Sequence, residues 1–143
     1  TKGCPPHDWL FITGGSIGQG MPLATGAAVA CRDRPVLSLS GDGSAMYTLQ
    51  SLWTQAREQL NVTTVIYANR SYAILHGELR NVGAQPGKNT RRLFDLENPY
   101  LNWVEMAAGM GVEGIRVETA EELEQAMNHG FSTPGPYLIE AIC

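Results

Sequence analysis

The chain has 143 residues, 43% apolar and only 17% charged, so it can bury a core and is neither disordered nor a coiled coil. Its net charge of -4 offers no basic excess for a nucleic-acid backbone. No apolar run reaches membrane-spanning length and no signal-peptide pattern opens the chain, so a cytoplasmic protein without nucleic-acid or membrane partners is expected.

Three dispersed cysteines, Cys4, Cys31 and Cys143, suggest neither a disulfide framework nor a zinc site. The low charge hints that part of the surface is covered. Sixteen glycines favour tight turns or loops that approach a ligand closely.

In chain order, Trp9–Thr13 is a short apolar run and reads as a first strand, followed by the glycine-rich turn Gly14–Gly20. The Ala-rich stretch from Met21 to about Cys31 reads as a buried helix. Val36–Ser40 reads as a strand ending in Gly41-Asp42-Gly43-Ser44. Leu49, Leu52, Trp53, Ala56 and Leu60 fall on one helical face. Val62–Tyr67 is a β-branched run ending in an aromatic residue and predicts a strand buried on both faces. Asn69–Ser71 ends it, with a short helix beginning near Tyr72.

Residues Val82 to about Pro99 show no period and read as one long loop. Trp103, Met106, Ala107 and Met110 mark a helix closed by Gly111, and Val112–Val117 a strand. Thr119 and Glu122 form a capping box for the helix bearing Leu123, Ala126 and Met127, with His129 and Gly130 at its C-terminal end. Tyr137–Ile142 is the last strand. Strands alternating with helices imply an α/β fold, a parallel sheet with helices on both faces.

Ligands of such sheets bind beyond the carboxyl ends of the strands. Gly14–Gly20, Gly41–Ser44 and Asn69–Ser71 fall there. One crossover helix joins the second and third of the expected strands, so Asp42 and Asn69 can leave neighbouring strand ends, roughly 4.8 Å apart. Their oxygens plus a free carbonyl make half of an octahedral Mg²⁺ site, and phosphates and water commonly supply the rest. Gly41 and Gly43 let backbone approach a phosphate, and a helix starting near Thr48 aims its N-terminus there. This points to a diphosphate and Mg²⁺ site; alternatively, Gly-Asp-Gly is only a turn and Asn69 only a cap.

These residues resemble the thiamine-diphosphate motif, which runs from Gly-Asp-Gly to an Asn-Asn pair. Gly14-Gly-Ser-Ile-Gly18, Gly20-Met-Pro22, Thr25-Gly-Ala-Ala28 and Pro134-Gly-Pro-Tyr-Leu-Ile-Glu140 also resemble the C-terminal, diphosphate-binding domain of the acetolactate synthase and benzoylformate decarboxylase group. The resemblance covers nearly the whole chain and implies the thiamine-diphosphate-binding fold. It implies Asp42 and Asn69 side chains and the Ser71 carbonyl as Mg²⁺ ligands, with Gly41, Gly43, Ser44 and the Ile74 backbone around the diphosphate. Gly15 is implied as carbonyl acceptor of the cofactor's 4′-amino group, Ser16 as its neighbour at the cofactor, and Ile17 as the wedge that bends it.

Two positions depart. Ala68 replaces the first Asn of the pair, and Leu75 stands where some pyruvate decarboxylases carry a catalytic Glu, which favours synthase-type or benzoylformate-type chemistry.

The implied activity is decarboxylation of a 2-oxo acid, or its joining to a second carbonyl. The family also needs a glutamate from a pyrimidine-binding domain, usually of another subunit. The expectation is therefore a C-terminal piece, residues 1–143, of a longer, homo-oligomeric enzyme, inactive alone. His76 is a candidate substrate contact, and His7 a loop residue near the turn.

Two rivals remain: a non-catalytic assembly module of the same fold, and a serine hydrolase. The hydrolase reading uses Gly14-Gly-Ser16-Ile-Gly18 as a nucleophile elbow, with Asp95 and His129 following in chain order.

Overall fold

In the computed structural model, which describes residues 3–143, four parallel strands form one sheet in the order β1-β2-β4-β3. They are β1 (Val36–Gly41), β2 (Val62–Ala68), β3 (Glu113–Val117) and β4 (Tyr137–Ile142). The helices are α1 (Gly20–Ala30), α2 (Asp42–Ala45), α3 (Ser51–Arg57), α4 (Ala73–Asn81), α5 (Lys88–Phe94), α6 (Trp103–Gly109) and α7 (Ala120–Ser132).

Side-chain alternation along the central strands divides the core. Ile66 and Leu138 meet Met21 of α1, Leu52 of α3, and Trp103 and Ala107 of α6 on one face. Val65 and Ile139 meet Ala126 of α7 on the other. The parallel α/β architecture with helices on both faces is as expected. Burying each of the larger side chains contributes roughly 1.5–3 kcal/mol, and Trp103, Leu52 and Leu138 are fully enclosed. Coverage is uneven. Leu37 and Leu39 of β1 and Tyr67 of β2, on the α7 side by alternation, keep about 40% of their surface exposed.

Several local expectations need correction. Trp9–Thr13 is not a strand: Trp9 is 63% and Phe11 74% exposed, and no described strand pairs with the segment. An apolar run satisfies its backbone as a strand only beside a partner edge. Trp53 leaves the buried face of its helix and lies under the Arg57 guanidinium at 4.8 Å, while Leu52 and Gln55 point inward. Residues 82–99 are not one loop but contain α5. That helix shows no period because Phe94 is its one buried residue, packed edge-on to His76 with ring centroids 4.9 Å apart. Tyr67 interrupts the otherwise buried β2. The buried helix α1 is buried on one side only, through Met21, Ala24, Thr25 and Ala28.

The capping box forms as expected. The Thr119 hydroxyl accepts from Glu122 N at 3.2 Å, and the Glu122 carboxylate accepts from Thr119 N at 3.2 Å. Gly130, however, does not end α7, which continues to Ser132. It lets the helix close on β2: a Cβ at Gly130 lies 2.7 Å from the Thr63 Oγ1 and 2.9 Å from its Cγ2.

One ion pair has its carboxylate end fully buried. Glu140 of β4 is fully buried; its Oε2 accepts from Arg116 Nε of β3 at 3.2 Å, and its Oε1 accepts from the Tyr100 hydroxyl. Burial raises the Tyr100 phenol above its ordinary value, and the Glu140 hydrogen bond and charge add to this. Burial pulls Arg116 down, but the Glu140 charge and hydrogen bond outweigh it and the guanidinium is raised.

Two outcomes follow. Gly130→Ala destabilises the fold by about 1–3 kcal/mol through overpacking, and adding Thr63→Ala recovers part of the loss in a denaturant midpoint. A raised phenol binds its proton more tightly in the folded state. Its contribution is therefore complete below the ordinary tyrosine range, about pH 10, and fades as pH rises beyond it. Tyr100→Phe starts less stable and loses less of its midpoint between pH 9 and 11.

Candidate cofactor site at the strand ends

β1 and β2 run side by side in register, with Gly41 opposite Tyr67. Asp42 and Asn69 therefore leave neighbouring strand ends, as expected. Asp42 is buried, and its carboxylate links the two segments: Oδ1 accepts from Gly43 N at 2.8 Å and Oδ2 from Arg70 N at 2.7 Å. A carboxylate has about four lone-pair sites, so two amides leave acceptor capacity for a cation. Arg70 holds φ +56°, uncommon for a non-glycine residue.

Asn69 is exposed, and its Oδ1 accepts from Ser71 N at 3.1 Å. Ser71 forms an isolated antiparallel bridge with Asp95, carried by Tyr72 N to Phe94 O and Leu96 N to Arg70 O, each 2.9 Å. Among the described residues no backbone amide donates to the Ser71 carbonyl. Oxygens of three kinds (carboxylate, amide and carbonyl) thus belong to residues at or next to the Asp42–Arg70 bond, a donor set of the type a hard cation takes.

The helix after Gly41 differs from expectation. A four-residue helix, Asp42–Ala45, begins at once, and α3 starts only at Ser51. The Gly43 and Ser44 amides therefore belong to the first turn after β1. Gly43 packs under Tyr72: a Cβ there falls 2.5 Å from the ring. No phosphate contact need be invoked to explain that glycine, which is buried and whose N–H is donated to Asp42.

The glycine-rich turn reaches this region through its far end. Gly18 is buried at φ +88°, and Thr48 Oγ1 donates to its carbonyl at 2.7 Å. Gly14 and Gly15 also take positive φ, +60° and +68°. Gly15, Ser16 and Ile17 are exposed, Ile17 by 58%, and the backbone bond of Ser16 N runs locally to Thr13 O. Ile74, in α4, is 69% exposed. The structure thus brings Asp42, Gly43, Asn69 and Ser71 together. It leaves Gly15, Ser16, Ile17 and Ile74 as an open rim.

The hydrolase constellation does not assemble. Among the described residues no strand precedes Ser16, Asp95 serves the Ser71 bridge, and His129 sits edge-on to Tyr137 at 4.9 Å, at the amino end of β4. His76 packs on Phe94, and His7 Nδ1 lies 2.8 Å from the Pro5 carbonyl. Sequence reasoning missed Arg70, Tyr100 and Glu140, since a link between three separate segments leaves no local pattern.

A parallel sheet with an acidic and an amide side chain at adjacent carboxyl ends defines an α/β cofactor-binding domain. Residues 3–141 match the family described as "Thiamine pyrophosphate enzyme, C-terminal TPP binding domain", and the chain belongs to that family. It is 54% identical over 144 residues to the "Putative acetolactate synthase large subunit IlvX" of Mycobacterium tuberculosis, covering 99% of this chain and 28% of that protein. It is 34% identical to the benzoylformate decarboxylase of Pseudomonas aeruginosa, over 94% of this chain and 24% of that one. Among solved structures, the thiamine diphosphate-dependent 4-hydroxybenzoylformate decarboxylase of Rhodococcus jostii RHA1 superimposes with a TM-score of 0.75 at 37% identity, covering 87% of this chain and 22% of that one.

The chain spans about a quarter of the length of the relatives it matches. The family's domain binds thiamine diphosphate, with Mg²⁺ its usual partner ion. No helix among the described residues is long and apolar enough to cross a membrane.

Gly18→Ala tests the rim's anchor. The new Cβ lies 2.6 Å from Tyr47 Cβ, which no rotamer change can move, at a positive φ. A cost of about 1–3 kcal/mol is expected, with faster amide exchange across residues 14–20.

Proposed function

We propose that this domain holds the diphosphate end of thiamine diphosphate through a Mg²⁺ ion bound by the Asp42 and Asn69 side chains and the Ser71 carbonyl. The observation that carries the reading is the 2.7 Å bond from Arg70 N to Asp42 Oδ2, which joins the two halves of the motif beside an uncommitted carbonyl. The Gly41, Gly43 and Ser44 backbone and the Ile74 amide line the diphosphate. The Gly15 carbonyl would accept from the cofactor's 4′-amino group, Ser16 would border it, and Ile17 would give it an apolar support. Ala68 is buried in β2 and lies outside this donor set, so its departure from the Asn-Asn pair leaves the cation ligands in place.

When bound, thiamine diphosphate supplies a nucleophilic carbon and an electron sink for carbon–carbon cleavage beside a carbonyl. This chain's own part is binding and orientation: the Asp42 and Asn69 side chains would hold the cation that neutralises the diphosphate. The open rim at Gly15, Ile17 and Ile74 fits a site completed elsewhere. We read residues 1–143 as the C-terminal part of a longer, homo-oligomeric cytoplasmic enzyme. Its pyrimidine-binding domain supplies the glutamate, and its substrate is a 2-oxo acid, decarboxylated or condensed as in acetolactate synthases.

In calorimetry on the complete polypeptide, Asp42→Ala is expected to lower Mg²⁺-dependent affinity for thiamine diphosphate by more than about 100-fold, beyond the effect usual for supporting residues. Asn69→Ala is expected to act in the same direction. Unchanged binding in Asp42→Ala sinks the assignment.

A further inference from the structure

Arg70 sits between the candidate ligands Asn69 and Ser71 and holds a left-handed backbone that an arginine seldom adopts, φ +56°. Such a conformation persists only where its surroundings hold it. Two ties are through the backbone: its N–H donates to Asp42 Oδ2 at 2.7 Å, and its carbonyl accepts from Leu96 N at 2.9 Å. The third is through the side chain. The guanidinium carbon lies 5.0 Å from the centroid of the Tyr100 ring, within cation–π range. Its Nε is buried with no hydrogen-bond partner among the described residues, so no hydrogen bond at that atom competes with the ring contact.

Tyr100 is itself fixed. Its hydroxyl donates to Glu140, whose side chain has no exposed surface. Arg116 donates to the other Glu140 oxygen at 3.2 Å, and its guanidinium also lies 5.0 Å from the Tyr100 ring. Arg116 Nη2 reaches Asn102 Oδ1 at 3.4 Å, and that oxygen accepts from Glu105 N at 3.3 Å to cap α6. An unbroken chain of contacts thus runs from the buried carboxylate on β4 to the turn after β2.

We propose that Tyr100, braced by Glu140 and Arg116, is a positioning residue for the cation site: it holds the Arg70 side chain and, with it, the left-handed turn that presents Asn69, Ser71 and the Arg70 amide to Asp42. The inference rests on the cation reading above. It does not require Tyr100, Arg116 or Glu140 to touch metal or cofactor. Groups that orient metal ligands without binding the metal typically change its affinity about 10–100-fold when removed.

Charge gives this proposal a sign that bulk electrostatics alone does not share. Arg70 is a cation beside a cation site, so removing its charge strengthens Mg²⁺ binding if Coulomb repulsion is all that matters. If the side chain holds the turn, removal weakens binding instead.

The test uses the complete polypeptide with thiamine diphosphate at a fixed concentration and Mg²⁺ titrated by calorimetry. In parallel, hydrogen exchange is followed over residues 69–72 without cofactor or metal. Arg70→Ala and Tyr100→Leu are expected to weaken Mg²⁺ binding by about 10-fold or more and to speed exchange in that segment. Arg70→Lys, which keeps a cation for the ring, is expected to recover most of both. If Tyr100→Leu does not fold, the Arg70 pair carries the test, because Arg70 is only half-buried.

Asp42→Ala is the reference. If it abolishes Mg²⁺ binding while Arg70→Ala leaves affinity and exchange unchanged, or tightens binding, the positioning role is overturned and the site stands. If Asp42→Ala has no effect, the cation reading fails and the inference falls with it.

Discussion

The organisation of the strand ends depends on one carboxylate. Asp42 is buried at the carboxyl end of β1, yet its two oxygens are occupied by amides from different segments, Gly43 on its own turn and Arg70 after β2. A buried carboxylate without such donors is costly, so the fold is obliged to bring those amides to it. The parallel register of β1 and β2 does the coarse placement, and Asp42 does the fine placement. Every proposed ligand lies within two residues of that bond.

The rest of the domain frames this link. Trp103, Leu52, Leu138 and Ile66 lock one face of the sheet, and α7 closes the other at Gly130. Helix α5 has little core of its own, and its contribution is positional: Phe94 holds His76, and the backbone on either side of Asp95 pairs with the turn at 70–72. That pairing engages the Arg70 carbonyl and the Tyr72 amide and leaves the Ser71 carbonyl free of backbone donors. A segment with no sequence period therefore shapes the site's outer wall.

What the sequence made legible follows from interaction range. The Thr119–Glu122 box is local, so residue types at fixed spacing identify it. β2 is central, so its β-branched run is readable from burial on both faces. The nearness of the Asp42 and Asn69 strand ends was also accessible, because a short crossover places consecutive strands side by side. Trp9–Thr13 misled because apolar composition does not say which surface will cover it. Trp53 misled because its indole sits at the surface against the Arg57 guanidinium, and an apolar residue at helical spacing does not report that alternative. The Gly130 packing contact, the α5 wall and the Tyr100–Glu140 link depend on partners tens of residues away, and no spacing rule reports them.

The Glu140 cluster is poorly explained as a device for stability alone. Burying an ion pair commonly costs about as much in desolvation as it returns in attraction, and a hydrophobic pair between β3 and β4 would serve the core as well. A charged, hydrogen-bonded cluster does something an apolar contact does not: it fixes a phenol ring by direction as well as by volume. Breaking one partner leaves a buried charge unpaired, so the arrangement tolerates few alternatives. Rigidity of that kind has a use where it ends, at an arginine held in a left-handed turn against Asp42. Of the residues proposed to meet the cation, Asp42 is buried, but Asn69 is exposed and Ser71 half-buried, and these two could otherwise sample many positions. A buried anchor connected to them through Tyr100 and Arg70 supplies the order that the surface lacks.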